Sequence, residues 1–434
     1  MIRTIASTLL GAFPWPLCPM RALWKGCDSL KPWKFLRARA AVRSAAGARR
    51  RARSDRTLVF VSDAPRMREA KLAKGLRAAG WDVTLLYGRR PGFDLDYYFT
   101  RAEGYRDPWD ALDRASRLSP VAFHVFVALQ YHLASEFVRH RPGPVVIDSS
   151  DVLQGMKSSW YHRKYLPGQA ALERFCLEQA DGICSRDLQV QYLKRVLGYR
   201  FKGKVLFFPD LTIPETEARR PAIKDGRGEI HVALIGIIGL ERFQPYWKDA
   251  HVLKIAQALA RDRVHFHLYG TAPMQWQGYE YTYADYLALA RETPYFHLHR
   301  PVPLTQLLEE LRSYDFGIHV AGPRLHFDYG RHSGHTRASY DCTVTNRHFD
   351  YLQAQLPIIL HNGRLASWVV SRLGVALHPD AGFLEAPREW LAQRRPDEAQ
   401  REKLARAPEA IALMRHIPRL ERFYRSLADR PFSD

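Results

Sequence analysis

Asn346 and Asp350 stand four positions apart at the start of the segment Thr345-Asn-Arg-His-Phe-Asp-Tyr-Leu-Gln-Ala-Gln-Leu-Pro357, which reads as one helix followed by a proline-opened strand. That spacing puts both on one helix face, while Phe349, Leu352 and Leu356 make the opposite, apolar stripe. A helix N-terminus attracts phosphate, and a carboxylate one turn further in can accept hydrogen bonds from a diol. Phosphate beside diol describes the ribose end of a nucleotide. An ordinary core helix capped by Thr345 would use the same residues, so other positions must decide.

Several do. Leu234-Ile-Gly-Ile-Ile-Gly239 ends a strand in a glycine turn, where backbone amides can approach a pyrophosphate without interference from a Cβ. Arg242 and Lys248 follow it, Lys248 at the start of the next helix, and cations there would meet the charge of a departing phosphate. On the acceptor side, His124 lies within Val121-Ala-Phe-His-Val-Phe126, and Asp148 and Asp151 follow the strand Val145–Ile147. Strand ends are where a general base or a hydroxyl-binding carboxylate would stand, and His124 and Asp151 are the candidates. The loop Gly330-Arg-His-Ser-Gly-His-Thr-Arg337 is basic and precedes the nucleotide-binding segment. No helical HxxxH, DxD motif or carboxylate cluster points to a metal, so metal-independent chemistry without a cofactor is expected.

The elements that must position these residues alternate. Strands are expected at Thr57–Ser62, Asp82–Tyr87, Val121–Phe126, Val145–Asp148, Gly182–Cys184 and Val205–Phe208, with a helix from Asp63 to Gly80 and others between. Pro209 to Gly228 is polar and rich in proline and glycine, a linker. Strands resume at Ile230–Gly236, Val264–Tyr269, Tyr295–Leu298, Phe316–Val320 and Ile358–Leu360, with helices near 248–260, 303–313 and 346–355. This pattern predicts two α/β domains with parallel sheets and a cleft at the carboxyl ends of the strands.

The chain has 434 residues and a formal net charge of +20, of which residues 1–56 carry +11. Concentration of the charge in one Arg- and Ala-rich segment argues against a nucleic-acid-binding body and for a basic, partly disordered extension. Its Trp15, Trp24 and Trp33, set among lysines and arginines, suit an anionic membrane surface. No apolar run is long enough to span a bilayer. Prolines at 14, 16 and 19 break the apolar stretch that would otherwise read as a signal peptide. Cys18, Cys27, Cys176, Cys184 and Cys342 are scattered, without a CxxC pair. A cytoplasmic protein, peripheral on the inner face of the cytoplasmic membrane, is expected.

The segment from Asn346 to Pro357 resembles the "N-K-x-F-E-Y-x-A-x-G-x-P-V-I" run of group-1 (GT4-like) glycosyltransferases of GT-B architecture. Gly374-Val-Ala-Leu377 is similar to that family's "G-V-G-L" strand, and Ala180-Asp-Gly-Ile-Cys-Ser185 to its "A-D-x-V-I-x-V-S" strand. The resemblance covers roughly residues 57–378 and implies two Rossmann-like domains facing across a cleft. It implies a division into an extension (1–56), an acceptor-side domain (57–212), a nucleotide-sugar domain (229–412) and a C-terminal helix (413–434) that packs back on the first domain. It gives Asp350 the role of ribose-binding carboxylate and Arg347 that of a nearby basic residue. Lys248 takes the place of the lysine that neutralises the diphosphate, and Val302 that of a backbone contact to the base. Two departures stand out. Cys342, beside Asp341, occupies the position of a second family glutamate, and Ser62-Asp-Ala-Pro-Arg-Met-Arg68 replaces a Gly-Gly turn, so that Arg66 or Arg68 could face the cleft.

The resemblance implies transfer of a sugar, with retention, from a UDP- or GDP-sugar to a hydroxyl of a sugar or lipid-linked acceptor, in polysaccharide or glycolipid synthesis. Two other readings stay open: a nucleotide-sugar 2-epimerase on the same fold, and a non-catalytic relic that binds membrane or nucleic acid through its basic arm.

Overall fold

The computed structural model describes residues 55–157, 166–213, 228–237, 252–271, 283–300, 302–320, 336–361 and 363–428. Gly239, Arg242, Lys248, nearly all of the basic extension and most of the 330–337 loop lie outside them.

The first domain runs β1 (Thr57–Ser62), α1 (Met67–Ala78), β2 (Asp82–Tyr87), α2 (Leu95–Tyr98), β3 (Arg101–Gly104), α3 (Pro108–Ser116) and β4 (Ala122–Ala128). It continues through α4 (His132–His140), β5 (Val145–Asp151), α5 (Gln169–Gln179), β6 (Gly182–Ser185), α6 (Gln189–Arg195) and β7 (Lys204–Phe207). These strands form a seven-stranded parallel sheet in the order β3-β2-β1-β4-β5-β6-β7. Central strands read as unbroken apolar runs because both faces are covered. Val59, Val61, Phe123, Val125 and Ile147 point toward Leu112, Phe137 and Leu177 of the helices on one side. Leu58, Phe60, Val83, Leu85 and Val146 point to the other.

The edge strand β3 is absent from the sequence reading. Its sequence, Arg-Ala-Glu-Gly, has no β-branched or aromatic residue, and it becomes a strand by pairing Thr84↔Arg101 through Tyr87↔Gly104. Charged side chains suit that exposed edge.

The second domain runs β8 (His231–Ile237), α7 (Val252–Arg261), β9 (His265–Thr271), α8 (Ala284–Glu292), β10 (Phe296–His299), α9 (Leu304–Leu311) and β11 (Phe316–Val320). Then come α10 (Arg337–Cys342), α11 (Asn346–Gln353), β12 (Ile358–His361), α12 (Arg364–Leu373) and β13 (Ala376–Leu377). Its six parallel strands are ordered β10-β9-β8-β11-β12-β13. In each sheet the order reverses beside the domain's first strand, between β1 and β4 and between β8 and β11. Such switch points are where parallel sheets open a crevice for ligands.

The chain closes with α13 (Gly382–Glu385), α14 (Pro387–Ala392), α15 (Glu398–Ala410) and α16 (Leu413–Ala428). The last of these returns to the first domain. At the crossover Leu413 N donates to the Thr212 carbonyl and Thr212 N to that of Ile411, and Trp81 Nε1 donates to Glu421 at 2.7 Å. Gly75 and Gly182 leave room for it: a Cβ on Gly75 would lie 2.7 Å from Leu413, and one on Gly182 2.8 Å from Phe423. No helix among the described residues is long and apolar enough to cross a membrane.

Candidate functional site

The helix α11 is placed by its own ends and by one tyrosine. Thr345 caps it: the Thr345 backbone N–H donates to His348 Nδ1 at 3.0 Å, closing a capping box. The Tyr351 ring lies on Gly317 of β11, where a Cβ would stand 2.6 Å from it. Its hydroxyl accepts from Ile235 N and lies 3.0 Å from the Ala233 and Ile318 carbonyls, which ties the helix to β8 and β11 at the switch point. The N-terminus of α11 therefore opens at the carboxyl ends of these strands.

Arg347 and Asp350 project from that first turn and a half. The Arg347 guanidinium lies over Gly236, whose φ of +101° and missing side chain let it approach; a Cβ there would be 2.9 Å from Nη2. Burial pulls the Arg347 pKa down, while Tyr351 and Asp350 support its charge. Burial pushes the Asp350 carboxyl above its usual range, and Lys71 pulls it back. Lys71 comes from α1, across the cleft, with Nζ 3.4 Å from Asp350 Oδ1. The ribose-binding candidate is thus already paired with a cation of the opposite domain.

Three further polar atoms near this helix start are buried with no hydrogen-bond partner among the described residues: Asn346 Oδ1, His348 Nε2 and His319 Nδ1. Rotating the Asn346 amide would present an NH₂ donor in place of the oxygen. The His319 and His348 rings lie 4.3 Å apart at the end of β11, and burial holds both below the usual imidazole range, His348 at about 3. Both are neutral at pH 7. Val302 is half-buried just ahead of α9.

The facing wall is built by the first turn of α1. Arg68 donates Nε and Nη2 to Asp148 at 3.0 and 2.8 Å, Nη1 to Asp210 at 2.5 Å and Nη2 to the Phe208 carbonyl at 3.0 Å. One guanidinium thereby joins α1 to the middle of β5 and to the chain just past β7. Burial alone would raise the Asp148 carboxyl, but Arg68 and then His124 more than offset it and hold it at about 2. Glu69, one residue on, accepts from Ser62 Oγ at 3.0 Å, and burial pushes its carboxyl up to about 7. Arg66 is exposed at the helix entry.

The two acceptor-side candidates occupy different surroundings. His124 is fully buried in mid-strand β4, with Nδ1 2.6 Å from the Tyr424 hydroxyl of α16. Its Nε2 lies 3.2 Å from Asp148 Oδ2. Burial lowers its pKa, so the ring is neutral. Asp151 is half-buried at the end of β5 and accepts from Arg186 Nη2 at 3.0 Å. Asp341 sits between Arg337 and Arg364 at 3.5 and 3.8 Å, while the Cys342 carbonyl accepts from Leu188 N of the first domain at 3.0 Å. Lys71, Glu69 and Asp210 escaped the sequence reading. For Lys71 a trace exists, since it lies one helical turn after Arg68.

Solved structures share this arrangement along most of the chain. A sucrose-phosphate synthase from Thermosynechococcus elongatus superposes with a TM-score of 0.56 at 14% identity, over 86% of this chain and 99% of its own. HepE from Anabaena in complex with UDP and glucose superposes with a TM-score of 0.59 at 12% identity, over 86% and 100%. The chain has the GT-B glycosyltransferase fold. HepE in complex with UDP-glucose gives 0.55 at 11% identity, over 86% of this chain and 98% of its own. No protein-family model matches the sequence, and no curated protein matches it. Between the two domains of that fold, α11 meets α1 through the Asp350–Lys71 contact.

Proposed function

We propose that this GT-B chain is a glycosyltransferase that moves a sugar from a nucleoside-diphosphate sugar to a hydroxyl acceptor. The observation that carries the reading is the α11 start: the Arg347 guanidinium lies over Gly236 at the carboxyl end of β8, and the buried Asp350 carboxylate and Asn346 amide stand within a turn of it on the same helix. Asp350 accepts the two ribose hydroxyls, Arg347 and Asn346 take diphosphate oxygens, and Val302 lies beside the base. Lys71 gives up Asp350 as the diol enters. Negative charge grows on the leaving diphosphate in the transition state, so a fixed guanidinium lowers the barrier as well as binding the donor. Lys248, Arg242 and the Gly239 turn are assigned to the same phosphates. With cations supplying that charge, transfer needs no metal or cofactor.

Asp151, at a strand end, orients the acceptor hydroxyl. His124 works behind it, holding Asp148 and thereby Arg68. UDP and GDP are the donor nucleotides to test first, and HepE complexed with UDP-glucose favours the UDP arm. We assign retention as the stereochemical outcome, a hexosyl donor, and a polysaccharide or lipid-linked acceptor. Residues 1–56 are assigned to an anionic membrane surface.

The test is a thermal-shift screen of the chain against UDP, GDP, ADP, CMP and their sugar conjugates. A ligand at a hundred times its dissociation constant stabilises by about 2.7 kcal/mol. A response to one nucleoside diphosphate that Asp350→Ala removes supports the reading. No response from a folded sample overturns it.

A further inference from the structure

Five histidines occupy alternate positions on three adjacent strands: His231 on β8, His265 and His267 on β9, His297 and His299 on β10. Side chains alternate along a strand, and the pairings His231↔His265 and His267↔His297 are in register, so all five stand on one face of the sheet. They are joined in two files. His231 Nδ1 lies 2.9 Å from His267 Nε2, and His267 Nδ1 lies 3.0 Å from His299 Nε2. Beside it, His265 Nδ1 lies 2.9 Å from His297 Nε2. Both files begin at the same place: the His231 and His265 rings stack at 4.5 Å, and each Nε2 lies 3.9 Å from Glu229 Oε2.

We propose that Glu229, His231 and His265 form a binding site for one divalent transition-metal ion of the zinc class. Two imidazoles and a carboxylate are a ligand set that suits zinc, nickel or copper, with water completing a tetrahedron around zinc. One ligand atom from each residue already lies within 4.8 Å of the other two. Around a zinc ion such atoms stand about 3.3 Å apart, given bond lengths of about 2.0 Å. Glu229 is 58% exposed and can close its own two distances by a change of rotamer, while the stacked His231 and His265 rings must tilt toward one another to converge on one ion.

The second layer is in place as well. A histidine that binds metal through Nε2 carries its proton on Nδ1 and donates it to a fixed acceptor, which sets the tautomer and the ring plane. His267 Nε2 and His297 Nε2 are those acceptors. His267 in turn meets His299, and its ring stacks on Tyr314 at 4.2 Å.

His231 and His265 are the first residues of their strands, so the site is at the end of the sheet opposite the cleft. The seven residues of β8 put about 20 Å between that end and the α11 start. The ion is therefore structural or regulatory. It ties Glu229, where the chain enters the second domain, to β8 and β9.

The experiment is calorimetric titration of the untagged full chain, stripped with a chelator, with ZnCl₂, repeated by visible absorption with CoCl₂. One ion per chain is expected, bound about tenfold more weakly by Glu229→Gln and not at all by Glu229→Gln/His231→Asn, with the circular dichroism of the wild type retained. His297→Leu keeps every ligand but removes an acceptor, and should weaken binding about 10- to 100-fold. An ion still held at full affinity by the double variant, or none taken up by the wild type, overturns the proposal. Should His231→Asn fail to fold, the exposed Glu229→Gln substitution alone decides.

Discussion

Asp350 holds a charge where burial opposes one, and Lys71 is what supports it. Two predictions follow from that pair. Asp350→Ala should raise the dissociation constant of the nucleotide by roughly 10- to 150-fold, the loss of a charge-assisted bond of about 1.5–3 kcal/mol, read by calorimetry. Lys71→Met should act through pH. Without its cation the Asp350 carboxyl titrates at a still higher pH, so nucleotide affinity should fall away at a higher pH than in the wild type. An unchanged affinity–pH profile would remove Lys71 from the site. Glu69 gives a third test, on stability. Its folded pKa of about 7 exceeds the ordinary glutamate value of 4.5, so the folded state holds the proton more tightly. That stability is fully present below about pH 4.5 and lost as pH rises through about 7. Glu69→Gln, which can still accept from Ser62, should flatten the urea midpoint across that window.

At the scale of elements, close approach decides which helices can dock. Gly317 admits the Tyr351 ring, and through it α11 takes its position. Gly317→Ala should cost about 1–3 kcal/mol by overpacking and weaken nucleotide binding too, because the helix that carries Asp350 must shift. Chemical denaturation and calorimetry on one sample would show both, whereas a stability loss without a binding loss would detach Tyr351 from the site. The same logic ties α16 to the first domain through Gly182, Phe423 and the Tyr424–His124 contact. Element types here were legible in the sequence: apolar runs bounded by turns marked the strands, and Thr345 with Phe349, Leu352 and Leu356 marked α11. β3 was not legible, because an edge strand of Arg-Ala-Glu-Gly exists only by pairing with β2.

For the molecule as a whole, polar contacts between the domains among the described residues include Lys71 with Asp350, Leu188 N with the Cys342 carbonyl, Gln189 with Thr343, and Thr336 with the Gly155 and Met156 carbonyls. All of them lie on the stretch from Thr336 through α10 to α11, which connects the acceptor-side wall to the nucleotide-side one. Acid should test the first domain's clasp. Asp148 is held at about 2 against an ordinary aspartate value of 3.8, so its contribution is present above about pH 4 and lost as pH falls through about 2. The size is roughly 2 kcal/mol, since one pKa unit corresponds to about 1.4 kcal/mol. Arg68→Met should remove this acid limb and destabilise by about 3–5 kcal/mol at neutral pH, having left buried carboxylates unpaired. Acid titration of the circular dichroism in the two proteins checks it; an identical limb in Arg68→Met would mean that other carboxyls control acid unfolding.

Two alternating α/β halves, the linker between them and the Asn346–Asp350 face all follow from spacings of two to four residues, because strand and helix periodicity are local properties of the chain. What each charge faces is not local. Lys71 meets Asp350 across 279 positions, and Arg68 meets Asp148 and Asp210 across 80 and 142. His124 reads in the sequence as a lone histidine among apolar neighbours; its partner, Tyr424, comes from three hundred positions on. The histidine cluster shows the same division. A search for helical histidine spacing passes over His265-x-His267 and His297-x-His299, which become a cluster only when parallel register stacks β8, β9 and β10 side by side. Periodicity sets which face a side chain takes; the partner on that face is set by which distant strand or helix packs there.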